Sequence, residues 1–522
     1  MKIVILGGGF GGVYTLKYLH KFFHNKKKVK LILVNKKNYF IFTPLLHEVA
    51  TGGIPIDNAL EPIREIIKCC DFDFIHGEVE KIDLENKIVY IKKSQPYADN
   101  NLLQNKKREN YNIDYDYLVI ALGSKTNYYN IPGAQEYSYS LKSIDDAIRL
   151  KNHFVHMFEL ASLYPEKSQK YLTFVIVGGG ATGIELAGEM SDLFYKTFSK
   201  LYSSALISQA KIILIEKGKE LLPQFSPKLR QKAFERLKKL KIDVKLEKGV
   251  VEVGKDFIKL NDGNILETRT VIWSAGVGPN LPEIVGKVEK DNKERLVLNE
   301  YLQVKKKMNA ERTELKQNSQ NLTQNLQKNT EAEHTELTQN LQKSFDSSWS
   351  VLRSSASTEE FSQFSVSLVS SAIKDSLDSS VSALSSSESK NNSVSSASVK
   401  HGSVYENVFA IGDVCCFVQD EKPLPQLAQV AVRQAKTVAL NVKNSIENKN
   451  LEKFIYNHTG DLISIGRFYA LGEIKGVQFS GLISWFIWKG VYLSKIISFR
   501  DKVKTFIDWI LSLFLPRDIT EL

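Results

Sequence analysis

Two stretches of the chain repeat one design: a short apolar strand, a glycine-rich turn, a helix, then a second apolar strand. They occupy residues 2–35 and 172–216. Continuous apolar strands alternating with helices belong to parallel sheets covered on both faces. The predicted fold class is therefore α/β, with two Rossmann-like dinucleotide-binding domains. The apolar, basic end of the chain adds a C-terminal amphipathic helical region of the membrane-associating kind.

In the first unit the strand Lys2 to Leu6 leads into Gly7 to Gly12, a helix from Val13 to Phe23 and the strand Val29 to Val34. Gly7, Gly9 and Gly12 satisfy G-x-G-x-x-G. The first glycine permits the tight turn, the second lets backbone approach a pyrophosphate, and the third lets the helix pack closely with its N-terminus facing the anion. The next strand ends at Asn35, where an acid usually binds ribose. It follows Gly12 by 35 − 12 = 23 residues, near the roughly 20 expected.

The second unit runs from the strand Leu172 to Val177 through Gly178, Gly180 and Gly183 to a helix from Ile184 and the strand Ile212 to Ile215. It ends at Glu216, whose carboxylate accepts from ribose hydroxyls and repels a 2′-phosphate, favouring NADH over NADPH. Lys217 moderates that preference. One nucleotide per turn assigns FAD to the first and NADH to the second.

Two further strands, Tyr115 to Ser124 and Val271 to Gly276, end in small-residue turns and read as crossovers between nucleotide domains. Ala275 and Gly276 are assigned to the NADH site with the second turn. Phe409-Ala410-Ile411-Gly412-Asp413 places a carboxylate at a strand end, suited to a ribityl hydroxyl.

Length and composition bound the rest. A chain of 522 residues holds roughly two to four domains. Its net charge of +11 comes from scattered lysines without an Arg-rich stripe, which reads as a solvated surface with no nucleic-acid partner. Four cysteines in two adjacent pairs, Cys69-Cys70 and Cys415-Cys416, suit a reducing compartment without disulfides, and no metal site is expected. The apolar run begins at Ile3, so neither a signal nor a transit peptide is expected. Between 305 and 403 the composition changes: Leu-Thr-Gln-Asn-Leu-Gln-Lys recurs at 322–328 and 337–343, then serine dominates. Such a segment has too little apolar content to offset the entropy of ordering, and reads as a disordered or loosely helical insertion.

The end of the chain lacks the roughly 18 uninterrupted apolar residues of a spanning helix. Gly481 to Leu493 is apolar but broken by Lys489, and in 499–514 the residues Phe499, Val503, Phe506, Ile507, Ile510, Leu513 and Phe514 recur at helical spacing. Five bases (Lys489, Lys495, Arg500, Lys502, Lys504) stand against Asp501 across 484–507. With Trp485, Trp488 and Trp509, this pattern fits helices lying among anionic headgroups. The alternative is a core or dimer-interface helix.

Taken in order, GGGFGG, YDYLVIALGS, GGGATGIELAGE, WSAG and NVFAIGD resemble the flavoproteins with two dinucleotide-binding domains. Asn38 to Ala50 (NYFIFTPLLHEVA), Pro425 to Ala431 (PQLAQVA) and Asp461 to Arg467 (DLISIGR) narrow the resemblance to type II NADH dehydrogenases. The resemblance implies FAD contacts at Gly7, Gly8, Gly9, Phe10, Gly11, Gly12, Asn35, Lys36, Val79, Asp413, Ala431 and Val432. It places Glu185 and Gln429 near the isoalloxazine as catalytic residues. Quinone contacts fall to Gln429, Arg433, Gln434 and Lys489, although Arg433 stands where the family's A-Q-x-A-x-Q pattern has its second Gln. The implied layout is an FAD-binding domain at 1–140, an NADH-binding domain at 141–285, return strands at 286–304, the second FAD part with a quinone-site helix at 404–455, and a membrane-association region at 456–522.

The expected activity is two-electron transfer from NADH through FAD to a membrane quinone, without proton pumping, at the cytoplasmic face of the cell membrane. Anionic lipid is the second partner, and a homodimer stays open. Hydride transfer needs orientation and no protein acid, so Glu185 is assigned to proton delivery to the quinone, against a plain first-turn helix acid. Sulfide:quinone oxidoreductases need cysteines near the flavin, and none lies between Cys70 and Cys415. A disulfide reductase would carry C-x-x-x-x-C, but 39–53 contains no Cys. A non-turnover NADH-sensing flavoprotein would need neither the quinone helix nor the amphipathic end.

Overall fold

The computed structural model describes residues 1–24, 26, 28–67, 72–93, 111–307, 343 and 403–521. The expected insertion falls almost wholly outside the described residues, as do Cys69 and Cys70. Residues 306–403 separate as their own unit from 1–305 with 404–522, and the elements below belong to the latter.

Strand β1 (Lys2–Leu6) lies near the middle of the larger sheet because Ile3 to Leu6 are apolar on both faces and wholly buried. It pairs in parallel with β2 (Lys30–Asn35), Lys2 opposite Lys30 through Leu6 opposite Val34, and with β6 (Tyr117–Ile120). Beyond β2 come β3 (Asp73–Asp83), β4 (Ile88–Lys93) and β5 (Tyr111–Asp114). Beyond β6 lie β12 (Val404–Ala410), parallel, and β11 (Gln303–Lys305), antiparallel. Helix α1 (Phe10–Phe23) packs along α5 (Ala428–Ile446).

The second sheet centres on β7 (Thr173–Val177), parallel to β8 (Lys211–Ile215) and to β10 (Thr270–Trp273), with β9 (Ile242–Lys245) beside β8. Helix α3 (Ile144–Leu163) starts at a capping box, in which Ser143 Oγ accepts from Asp146 N–H at 3.1 Å and Asp146 returns the bond to Ser143 N–H. Its buried face joins the rings of Phe154, Phe158, Phe174, Phe194 and Phe198 in one cluster. Helix α4 (Ala181–Asp192) follows the second glycine turn. It begins three residues earlier than expected, so Glu185 sits in its second turn and not its first.

The C-terminal region is a three-stranded antiparallel sheet, β13 (Gly460–Ser464), β14 (Ala470–Ile474) and β15 (Val477–Gly481), followed by α6 (Leu482–Lys495) and α7 (Phe499–Leu511). Among the described residues no helix is long and apolar enough to cross a membrane. The expectation that Trp485, Trp488 and Trp509 lie among headgroups is corrected: all three are buried in the core, Trp488 completely. The large apolar side chains left exposed are others, with Ile483, Phe486, Phe499, Phe506 and Phe514 foremost.

Helix α4 seats this region. A Cβ on Gly188 would stand 2.4 Å from Gly466 N and 2.9 Å from Ile465 C, both backbone atoms. Gly188→Val therefore pushes α4 off the C-terminal region, at a cost of about 1–3 kcal/mol. Thermal denaturation checks this: the variant melts several degrees lower, and an unchanged melting temperature contradicts the packing described.

Candidate active site

Both glycine turns have the same geometry. Gly7 and Gly178 have φ of +104° and +113°, the region only glycine enters freely. A Cβ on Gly12 would stand 1.8 Å from Gly7 O, and one on Gly183 would stand 2.1 Å from Gly178 O, so each helix crosses its own turn at contact distance. Above the middle glycines, Gly9 and Gly180, nothing lies within 4 Å of the Cβ position. Neither helix has a side-chain cap, which leaves the first-turn N–H groups open to an anion. These open cradles fit the pyrophosphate of a dinucleotide.

The residues ending the next strands close each turn alike. Gly8 N–H donates to Asn35 Oδ1 at 2.9 Å, and Gly179 N–H donates to Glu216 Oε2 at 2.6 Å. Gly218 N–H holds the other Glu216 oxygen at 2.6 Å. Asn35 thus makes the same bond as the acid it replaces, without the charge. Lys36 is exposed and its carbonyl accepts from His76 Nε2 at 3.0 Å, while Val79 is half-buried on β3. Trp273 Nε1 donates to Ala275 O at 2.7 Å, and Gly276 has φ +79°, turning the chain under Tyr129.

The turn after β12 lies against the first glycine turn: a Cβ on Gly11 would meet Ile411 Cδ1 at 3.0 Å. Ser124 Oγ donates to Asp413 Oδ2 at 2.7 Å, and Lys142 Nζ donates to Ser124 Oγ at 3.0 Å. Ala431 is buried and Val432 half-buried near the start of α5. Gln434 is also buried, and its Oε1 accepts from Gly412 N–H at 2.8 Å. Its amide oxygen therefore braces the turn that carries Asp413. Gln429 Nε2 reaches Gly460 O at 3.5 Å, and its Oε1 accepts from Thr459 Oγ1 at 3.4 Å. Arg433 bonds Asn457 O and Thr459 Oγ1 and lies over the Tyr456 ring at 5.1 Å. It thereby props the residue that orients Gln429.

Beside these turns lies a cluster of buried ionisable groups that sequence reasoning did not assemble. The single helical turn α2 (Leu46–Val49) carries His47 and Glu48, and α4 carries Glu185 and Glu189. Lys489 Nζ donates to both Glu48 oxygens, at 2.8 and 3.0 Å, and Trp509 Nε1 donates to Glu48 Oε2 at 3.0 Å. The Lys489 ammonium is also boxed by the rings of Trp485, Trp488 and Trp509 at 5.3, 5.0 and 4.0 Å. Arg517 bridges Glu189 at 2.6 Å and Thr51 Oγ1 at 2.7 Å. The ammonium that was expected to meet quinone is thus spent on Glu48. Burial pushes the Glu48 carboxyl up, but Lys489, His47 and Trp509 outweigh it and hold it below the usual range. Burial drives Glu185 well above that range; the Ser464 N–H opposes the shift, while Glu48 and Glu189 reinforce it.

Comparison with known proteins places this geometry. Residues 1–308 match the model of the pyridine nucleotide-disulphide oxidoreductase family, more than half of the 522 residues. The chain belongs to that family. Residues 458–518 match the NDH2 C-terminal domain, so the resemblance to type II NADH dehydrogenases extends over the C-terminal region. A probable NADH dehydrogenase of Dictyostelium discoideum is 27% identical over 99% of this chain and 91% of its own length. The type II NADH:quinone oxidoreductase of Mycobacterium tuberculosis is 26% identical over 99% and 89%. An external alternative NAD(P)H-ubiquinone oxidoreductase of Arabidopsis thaliana reaches 35%, over 58% of this chain and 52% of its own. Among solved structures, NDH2 from Plasmodium falciparum in complex with NADH shares the fold, with TM-score 0.70 at 23% identity and 99% coverage of both chains. The sulfide:quinone oxidoreductase of Aquifex aeolicus gives 0.57 at 16% over 99% and 95%.

In this member of the family the last forty residues are tied to the nucleotide-binding body by buried charge. Removing one partner strands the other, at about 3–5 kcal/mol. Glu48→Gln should therefore destabilise strongly, and Glu48→Gln with Lys489→Met should recover most of the loss; denaturant unfolding measures both. Because Glu48 is held below its unfolded value, its contribution is present above the ordinary carboxylate range and fades as pH falls through the folded pKa. A Glu48→Gln variant as stable as the parent contradicts the ion pair.

Proposed function

We propose that this chain is a type II NADH dehydrogenase that oxidises NADH and passes two electrons by way of FAD to a quinone, without pumping protons. The observation that carries the reading is the pair of open glycine turns in one chain that also bears an NDH2 C-terminal domain. FAD, when bound, accepts a hydride from the nicotinamide and supplies two electrons to the quinone. The chain's own residues bind, orient and supply protons. The first turn, Asn35 and Asp413 suit FAD: backbone N–H groups for its pyrophosphate, an amide for ribose, a carboxylate for a ribityl hydroxyl. The second turn suits NADH. Glu216 is already aligned by Gly179 and Gly218, so it accepts ribose hydroxyls and opposes a 2′-phosphate.

Glu185 holds the proton for quinone reduction. Buried beside two other carboxylates, it stays a carboxylic acid where an exposed Glu would be ionised. Gln429, oriented through Thr459 and Arg433, is the contact for a quinone head group.

Docking at the membrane is peripheral. The exposed face of α6, α7 and the residues just after α7 carries Ile483, Phe486, Phe499, Phe506 and Phe514 with Lys495, Arg500, Lys502 and Lys504 around it. Such a face suits an anionic surface, and anionic lipids concentrate in the cytoplasmic leaflet.

Two measurements test the reading. Glu185→Gln should keep FAD bound and lower NADH:quinone turnover about 10²-fold, the share of one general acid. Since only the acid form donates, wild-type turnover falls as pH rises through the elevated Glu185 pKa, a limb the variant lacks. Unchanged turnover in Glu185→Gln refutes the role. Separately, the triple variant Phe499→Ser, Phe506→Ser, Phe514→Ser should lose co-sedimentation with anionic phospholipid vesicles. Full retention contradicts lipid docking, and a dimer dissociated without loss of vesicle binding assigns the face to a second copy.

A further inference from the structure

Within the buried cluster, one imidazole lacks a matched partner. His47 is 3% exposed, its Nδ1 stands 3.8 Å from Glu185 Oε2, and its Nε2 makes no hydrogen bond among the described residues. Trp488 covers the ring at 6.1 Å. An imidazole nine-tenths buried with an unpaired nitrogen is costly, and helix packing alone does not call for one at the end of α2.

The charges around it explain the position. On its own element Glu48 is paired with Lys489 of α6, and on α4 Glu189 is paired with Arg517 of the C-terminal tail. Lys151 of α3 turns to Asp518 at 3.5 Å. The Tyr492 phenol on α6 is pushed up by burial and remains neutral. Glu48 and Glu189 thus each meet a cation, and in the remaining couple, Glu185 and His47, burial disfavours the charged form of both, raising the first and lowering the second. When Glu185 gives up its proton, a third carboxylate appears in this balanced, water-poor space. The Ser464 N–H then stabilises that charge, while Glu48 and Glu189 repel it.

We infer that His47 is a positioning residue for proton delivery, whose Nδ1–H turns onto the Glu185 carboxylate as that carboxylate forms. The motion closes 3.8 Å to a hydrogen bond of about 2.8 Å. The Glu185 O–H bond breaks, the proton passes to an oxygen of the quinone as it is reduced, and the electron pair stays on Glu185. His47 donates a hydrogen bond and loses no proton, so its ring remains neutral and Nε2 needs no acid partner. With no bond to Nε2 pinning the tautomer, Nδ1 is free to carry the hydrogen.

The inference rests on the Glu185 reading, and the experiment separates the two. Steady-state NADH:quinone turnover is followed against pH in holoenzyme carrying His47→Ala, His47→Asn, Glu185→Gln, or His47→Ala with Glu185→Gln. Bound FAD and the melting temperature serve as folding controls. In His47→Ala, kcat should fall about 10-fold with KM for quinone little changed, and the alkaline limb should move to higher pH because the Glu185 carboxylate has lost a donor. His47→Asn, whose side-chain N–H stands close to the position of Nδ1, should restore kcat to within about 3-fold and return the limb. The double variant should be no slower than Glu185→Gln. A His47→Ala profile that superimposes on the parent, or a His47→Asn variant as slow as His47→Ala, overturns the inference while leaving Glu185 standing if Glu185→Gln is slow. Normal turnover in Glu185→Gln overturns both.

Discussion

Glu48 and Glu189 lie under the C-terminal region, out of reach of bulk water, and each meets a cation that arrives from more than three hundred residues further along the chain. A carboxylate in such a place is tolerated only when paired, and desolvation is repaid only by close, well-bonded geometry. Lys489 satisfies this with two bonds and three indole faces, and Arg517 with a bond to Glu189 and another to Thr51. Partial docking of the last forty residues would expose unpaired charge, so the region seats fully or not at all. Its seating in turn closes water out around Glu185, and that exclusion raises the carboxyl above the usual range. Stability and proton chemistry therefore depend on one arrangement.

The two glycine turns show how the same backbone serves different ligands. In each, the N–H of the second glycine is captured by the residue ending the following strand, and the open face above the third glycine is left for a pyrophosphate. The bond needs only an oxygen acceptor, so Asn35 and Glu216 are equivalent for shaping the turn. They differ in charge, which matters only where a second phosphate on the ribose must be rejected. An amide in the first site and an acid in the second follow from that difference.

The sheets and the glycine turns were legible in the sequence because their signals are local: apolar strands of about five residues, glycines at fixed offsets and an acceptor one strand later. The start of α4 was misplaced by three residues since Ala181, Thr182 and Gly183 read as turn, whereas the helix takes them as its first turn. The three tryptophans read as interfacial because aromatic residues among lysines have that pattern on a surface, but Lys489 draws them inward around its own charge. Glu48 and Lys489 each stand alone in apolar runs, LLHEVA and WFIWKGVY, and an unaccompanied charge in such a run signals a buried partner. Which partner it meets was beyond reach, since the pairing spans 441 residues. His47 gave no signal of its own. Its role depends on the distance to Glu185, which exists only once α2 and α4 are packed.

Electrons pass from NADH through two nucleotide sites in one chain to a quinone. Anaerobic stopped-flow absorbance of the purified holoprotein on quinone-containing vesicles measures this most directly. NADH should bleach the yellow flavin in one phase, and subsequent mixing with quinone should restore the colour. A flavin that stays oxidised with NADH, or one that bleaches and is not recoloured by quinone, would contradict it.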